Sequence, residues 1–140
     1  MGEEISARCD AIESCYEFML AYAGQGLTGD EGSASSGQVR DYLQRAADAV
    51  SGLAEAYAAA VKQGKWQPAE TYHAFLGVLE RDSRDSLGAI QLVLAQPTIS
   101  SQLIDNLNAS IHLRALLTDL FLIDEIMKPQ RTREKSATRE

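Results

Sequence analysis

Proline occurs three times in 140 residues, aromatic side chains make up 6% of the chain, and cysteine and histidine appear twice each. A chain with so few aromatics and so much alanine favours helices over sheets. Cys9 and Cys15 stand six residues apart, well round a helix axis from one another, so they cannot easily meet as a disulfide or metal pair. They read as small apolar side chains in a reducing compartment. No window reaches the roughly 18 uninterrupted apolar residues of a membrane span. The most apolar segment, LLTDLFLIDEIM at 116–127, is broken by Asp119, Asp124 and Glu125. Residues 1–20 carry Glu3 and Glu4 near their start and no apolar h-region, so no signal peptide is expected and the location expected is cytoplasmic.

Catalytic signatures are missing as well. There is no G-x-S-x-G turn, and the serines lack an organising base. The glycines between 24 and 37 lack the strand and lysine of a phosphate-binding loop. Glu80, Asp82 and Asp85 share one exposed turn, without the unequal surroundings that separate two carboxyl pKa values. The expectation is a protein that is not an enzyme and holds no cofactor.

Charge is unevenly distributed. The formal net charge is −7, but residues 1–127 hold 8 basic and 18 acidic side chains. Residues 128–140 hold Lys128, Arg131, Arg133, Lys135 and Arg139 against Glu134 and Glu140. An acidic body repels nucleic acid and anionic membranes, leaving the basic tail as the one part able to touch RNA or an acidic partner.

Hydrophobic spacing supplies the fold. The segment at 99–127 has neither glycine nor proline, and Leu103, Leu107, Ile111, Leu117, Leu120 and Phe121 recur at helical intervals. A first helix at 3–27 follows Ile5, Cys9, Ile12, Tyr16, Met19 and Ala23, and ends at a glycine-rich linker, TGDEGSASSG, that reads as a mobile loop. A second, at 37–63 with Ser36 as its cap, follows Val39, Leu43, Ala46, Val50, Leu53, Tyr57 and Val61 and is rich in alanine. The short turn GKWQ returns the chain antiparallel into a third at 68–96, opened by Pro68 and followed through Leu76, Leu79, Ser83, Leu87 and Ile90. Gln96-Pro97 ends it. The pattern predicts an all-α, elongated, antiparallel up-and-down four-helix bundle over 1–127, with helices at 3–27, 37–63, 68–96 and 99–127, and a flexible basic tail at 128–140.

Beyond Arg114 the fourth helix is apolar nearly all round, more than a single bundle core needs. Leu113, Leu116, Leu117, Leu120, Phe121, Ile123, Ile126 and Met127 are therefore the candidate interface residues. They predict a non-enzymatic adaptor, regulatory or assembly protein acting by protein–protein contact, with itself as a homodimer and with another protein.

Two alternatives rest on single motifs. Glu70 and His73 have the i, i+3 spacing with which a bundle helix feeds a di-iron centre, but Ala109 stands where His112 would need a second glutamate. His112 also offers the imidazole of a histidine phosphotransfer domain, with Arg114 as a nearby cation, although Leu116 and Leu117 crowd the next turn. A third alternative, an apolar-ligand-binding bundle, follows from the slim second helix, whose small side chains leave room.

Overall fold

In the computed structural model the backbone is described for residues 2–30 and 36–139, and side chains for these residues except 36 and 129–139. Six helical segments follow in order: α1 (Gly2–Ala23), α2 (Ser36–Val50), α3 (Leu53–Gly64), α4 (Ala69–Leu94), α5 (Ser101–Ala109) and α6 (His112–Arg139). Half of the linker expected to be mobile, 31–35, and the Ser36 side chain expected as a cap lie outside the described residues, as do the arginine side chains of the basic segment.

α1 and α4 do not touch; each packs against α2, α3, α5 and α6. α2 and α3 succeed one another along α4. Arg40 meets the end of α4 at Leu94, and Ala58 lines a groove together with His73 and Gly77 nearer its start. They form one interrupted rod. α5 and α6, by contrast, change partner at their break: α5 packs mainly on α1 and α6 mainly on α4. The described residues thus form a five-helix bundle, not the four-helix bundle expected from the hydrophobic spacing.

Both breaks have local causes. At Ser51–Gly52 the helix propensity is low, and an arginine from another helix consumes the carbonyls that would continue the ladder. Arg8 Nη1 donates to Asp48 O at 3.2 Å and to Ala49 O at 2.9 Å, while its Nε and Nη2 reach Glu4. The last carbonyls of a helix have no intrahelical donor, and a guanidinium with several N–H groups suits them. A Cβ on Gly52 would stand 3.1 Å from that guanidinium, which would have to give by a few tenths of an ångström, so the close approach favours glycine. At the second break, Asn106, Asn108 and Ser110 weaken the helix. Ser110 Oγ donates back to Leu107 O, and Ile111 adopts φ 66°, a left-handed conformation that a β-branched residue rarely takes.

The core draws on every rod. The whole second seam, Val39, Leu43, Ala46, Val50, Leu53, Tyr57 and Val61, is buried as expected. On α1 the buried line is Ile5, Ile12, Cys15, Met19 and Tyr22, which turns the seam slightly past the one expected through Cys9, Tyr16 and Ala23. The α6 backbone continues to Arg139, through the segment 128–139.

One end of the bundle is closed by polar groups. Arg40 Nε pairs with Asp30 Oδ2 at 2.6 Å, and its Nη1 and Nη2 donate to Leu94 O and Gln96 O, the free carbonyls ending α4. Asp30 Oδ1 in turn accepts from Ile99 N at 2.8 Å. Tyr22 Oη donates to Ile99 O, Ser101 Oγ to Tyr22 O, and Ser101 Oγ accepts from Leu27 N. The ends of α1 and α4 and the starts of α2 and α5 are tied by this network.

Two stability predictions follow from these staples. Arg40→Met leaves Asp30, whose side chain is only 9% exposed, without its partner; urea unfolding should show a loss of about 2–3 kcal/mol, and a loss below about 0.5 kcal/mol would contradict the role given to Arg40. Arg40 also holds the Asp30 carboxyl below its ordinary 3.8, so this stabilisation is complete above that value and fades as pH falls through the depressed one. Gly52→Ala should cost about 1 kcal/mol in the parent and much less in an Arg8→Ala background; additive costs would separate the two residues.

Candidate functional site

α6 buries one stripe and exposes another. Leu113, Leu116, Leu117, Leu120, Ile123 and Met127 are each less than 5% exposed, packed inward at intervals of three and four residues. Those six, expected in an interface between chains, are part of this chain's own core. The surplus apolar surface is smaller than the sequence suggests because α6 lies over α4 along one side and meets α1 along another. What remains outward is Phe121 at 58% exposure, Leu122 at 52% and Ile126 at 47%. Leu122 was not among the expected interface residues. Its signal was its phase, since it falls between Leu120 and Ile123 and out of step with the buried stripe.

Acidic groups border this face. A cleft of about 640 Å³ between the first half of α1 and α6 is lined by Glu3, Asp10, Glu13 and Asp124, with Phe121 at its side. Burial, followed by the charges of Asp10, Glu17 and Asp124, raises the Glu13 carboxyl above its ordinary value. Cys9 sits half-buried in the same cleft, its Sγ 3.5 Å from Tyr57 Oη, and burial raises its thiol. Cys15 is fully buried, and burial pushes its thiol up to about 12. Burial therefore disfavours the thiolate, the nucleophilic form, at both positions.

The seam between α4 and α6 contains an acid pair. Asp119 Oδ2 is buried without a hydrogen-bond partner, and Asp82 across the seam lies close enough to act on its carboxyl. Burial first, then the hydrogen bond and charge of Asp82, push the Asp119 carboxyl up to about 7. Two facing carboxylates cannot both ionise cheaply, so the pair keeps a proton. One turn further along, Ser86 Oγ donates to His112 O at 3.0 Å and fixes the start of α6 on α4.

The motif residues are scattered. Glu70 and His73 are exposed on the first turns of α4. Among the described residues no three His, Cys, Asp or Glu side chains gather where they could hold a metal ion. His112 opens α6 instead of lying mid-helix, exposed, with its neighbour Arg114 also in solvent. The basic residue that the structure does describe on the terminal segment, Lys128, lies 3.3 Å from Glu125 of its own helix. No helix among the described residues is long and apolar enough to cross a membrane.

Fold and site together define a compact all-helical domain. Comparison with protein-family models, with curated proteins and with solved structures finds no match to the chain.

The acid pair gives a pH prediction with a definite sign. Asp119 is raised from 3.8 to about 7 in the folded chain, so the native state holds an extra proton between those values and loses stability as pH rises across them. Asp119→Asn has no proton to lose. Its melting temperature should therefore exceed the parent's by a margin that grows from pH 4 to 7 and is flat above. A difference independent of pH would show that the pair does not share a proton.

Proposed function

We propose that this protein is non-enzymatic and acts by contact, pairing with a second copy of itself through the outer face of α6. The observation that carries this reading is the grouping of Phe121, Leu122 and Ile126, each about half exposed or more, within two turns of one helix. Isolated exposed apolar residues are ordinary, but a contiguous set on one rigid element is the usual mark of a contact surface. A two-fold pairing needs only one such face, because both chains present the same patch. Thr118 and Glu125, exposed beside it, form part of a polar rim. The acidic body and basic terminal segment favour a role as an adaptor or assembly protein that steers charged partners. Every group in this reading is a contact, with no chemistry assigned.

The decisive test is oligomeric state by analytical ultracentrifugation. The parent should sediment as a dimer, and Phe121→Asp combined with Leu122→Asp as a monomer. Because both side chains point away from the core, the double variant should melt within about 2 °C of the parent's monomeric unit. A parent that stays monomeric at high concentration would contradict the reading, as would a double variant that remains dimeric.

A further inference from the structure

The turn from α3 into α4 is built around the single tryptophan of the chain. α3 ends on Lys65 in the left-handed conformation (φ 53°), with Lys65 N donating to Lys62 O and Trp66 N to Val61 O. That reversal folds the indole back over Gly64, where a Cβ would collide with it, and sets it against Tyr72 with 5.9 Å between ring centroids. Trp66 is buried, so its ring is a fixed wall. Beside it lies a groove of about 620 Å³, within the range of small-molecule sites. Ala58, Ala59 and Ala69 leave the space open, because none of these side chains is long enough to fill it.

The charged lining of this groove has one sign. Lys62 and Lys65 border it and no carboxylate does; Glu55 and Glu70, the acids nearest to them in sequence, lie outside its lining. Residues 1–127 hold 18 acidic side chains against 8 basic ones, so a cation here has acids in excess to choose from. Arg8, Arg40, Arg45 and Arg84 each hold a carboxylate. Lys62 and Lys65 are both exposed and form no ion pair among the described residues. α4 begins at Ala69 and brings the positive end of a 26-residue helix to the same edge. Ala58 and His73 also border the neighbouring groove toward Gly77, but Glu55 and Glu80 stand there with Arg84, and charges of both signs select no ligand.

We propose that the groove at the α3–α4 turn binds a small aromatic anion. The aromatic body lies on the apolar wall formed by Trp66, Ala58 and Ala59, and the anionic group is met by the ammonium groups of Lys62 and Lys65. The fixed aromatic wall selects a flat apolar body, and the unpaired lysines select negative charge over a neutral molecule or an amine. The site shares no residue with the α6 face, so it stands or falls apart from the pairing of two chains.

The probe is 2-naphthoate, titrated into the isotope-labelled full chain. Because Trp66 is the only tryptophan, the spectrum holds one indole N–H signal, and that signal reports on this groove alone. It should shift saturably together with the amides of Ala59, Lys65 and Ala69, with a Kd on the order of a millimolar for a ligand of this size. 2-Naphthylmethylamine, with the same rings and the opposite charge, should bind at least about tenfold more weakly. Lys62→Gln combined with Lys65→Gln changes only exposed side chains, so it should keep the fold and weaken 2-naphthoate about tenfold. Arg114→Gln removes an exposed cation on α6 and the same unit of net charge as either lysine, and should leave binding unchanged. The proposal is overturned by an indole signal that does not move, by equal binding of the amine, or by unchanged binding in the double lysine variant. A loss in Arg114→Gln as large as that in the lysine variant overturns it equally, since net charge and not this groove would then hold the anion.

Discussion

The fold depends on the carbonyls that a helix leaves unpaired when it stops. Two arginines from neighbouring helices meet them: Arg8 at the end of α2 and Arg40 at the end of α4. Each guanidinium also binds a carboxylate, Glu4 or Asp30, so the cap is neutralised as well as anchored. These contacts join positions forty to fifty-six residues apart, where loop closure is costly and a directional bond fixes the alignment that hydrophobic burial leaves loose. Asp30 extends the Arg40 cap to Ile99, and Tyr22 and Ser101 complete it. The end of the bundle is thereby held by charge-assisted hydrogen bonds, while its length is held by apolar packing.

Helix termination also decides which surfaces are left over. Because α5 stops at Ala109, α6 is free to lie mainly along α4 while still meeting α1. That shift buries six of the apolar side chains of α6 and leaves Phe121, Leu122 and Ile126 outside. It also sets Asp119 against Asp82, an arrangement that costs stability once both are ionised. On the opposite side of α4, the slim α3 leaves a groove where a bulkier helix would have filled it. The contact face and the groove are thus separate by-products of how the neighbouring helices share α4.

Much of this was legible in the residues. Helical periodicity located the helical material up to residue 127 but not the continuation of α6 through 128–139, and the second seam from Val39 to Val61 is buried throughout because its positions keep strict spacing. The two breaks were not legible in the same way. Ser51–Gly52 interrupts a stripe that continues on both sides, so its hydrophobic phase carries no mark of the break; what ends α2 is Arg8, more than forty positions away. Likewise Ile111 looks like a core residue by spacing, yet it is 56% exposed at a left-handed turn. The candidate interface was overdrawn for a related reason. Composition counts apolar residues, whereas burial depends on phase, and only the residues out of step with Leu113, Leu116, Leu120, Ile123 and Met127 remain for a partner. Glu70 and His73 had suitable spacing but no second helix to complete it, and spacing along one helix says nothing about what the neighbours bring.

The dependence of the bundle on its polar end can be read most directly from hydrogen exchange at two amides, Ile99 and Ser101. Ile99 N donates to Asp30 and Ser101 N to Leu27 O, outside any helix ladder. If the arginine-centred network is as integral as the apolar core, both amides exchange only through global unfolding, with protection equal to that of Leu43 and Leu79. Exchange at those two positions orders of magnitude faster than at the core leucines would show that the network merely decorates a bundle held by packing alone.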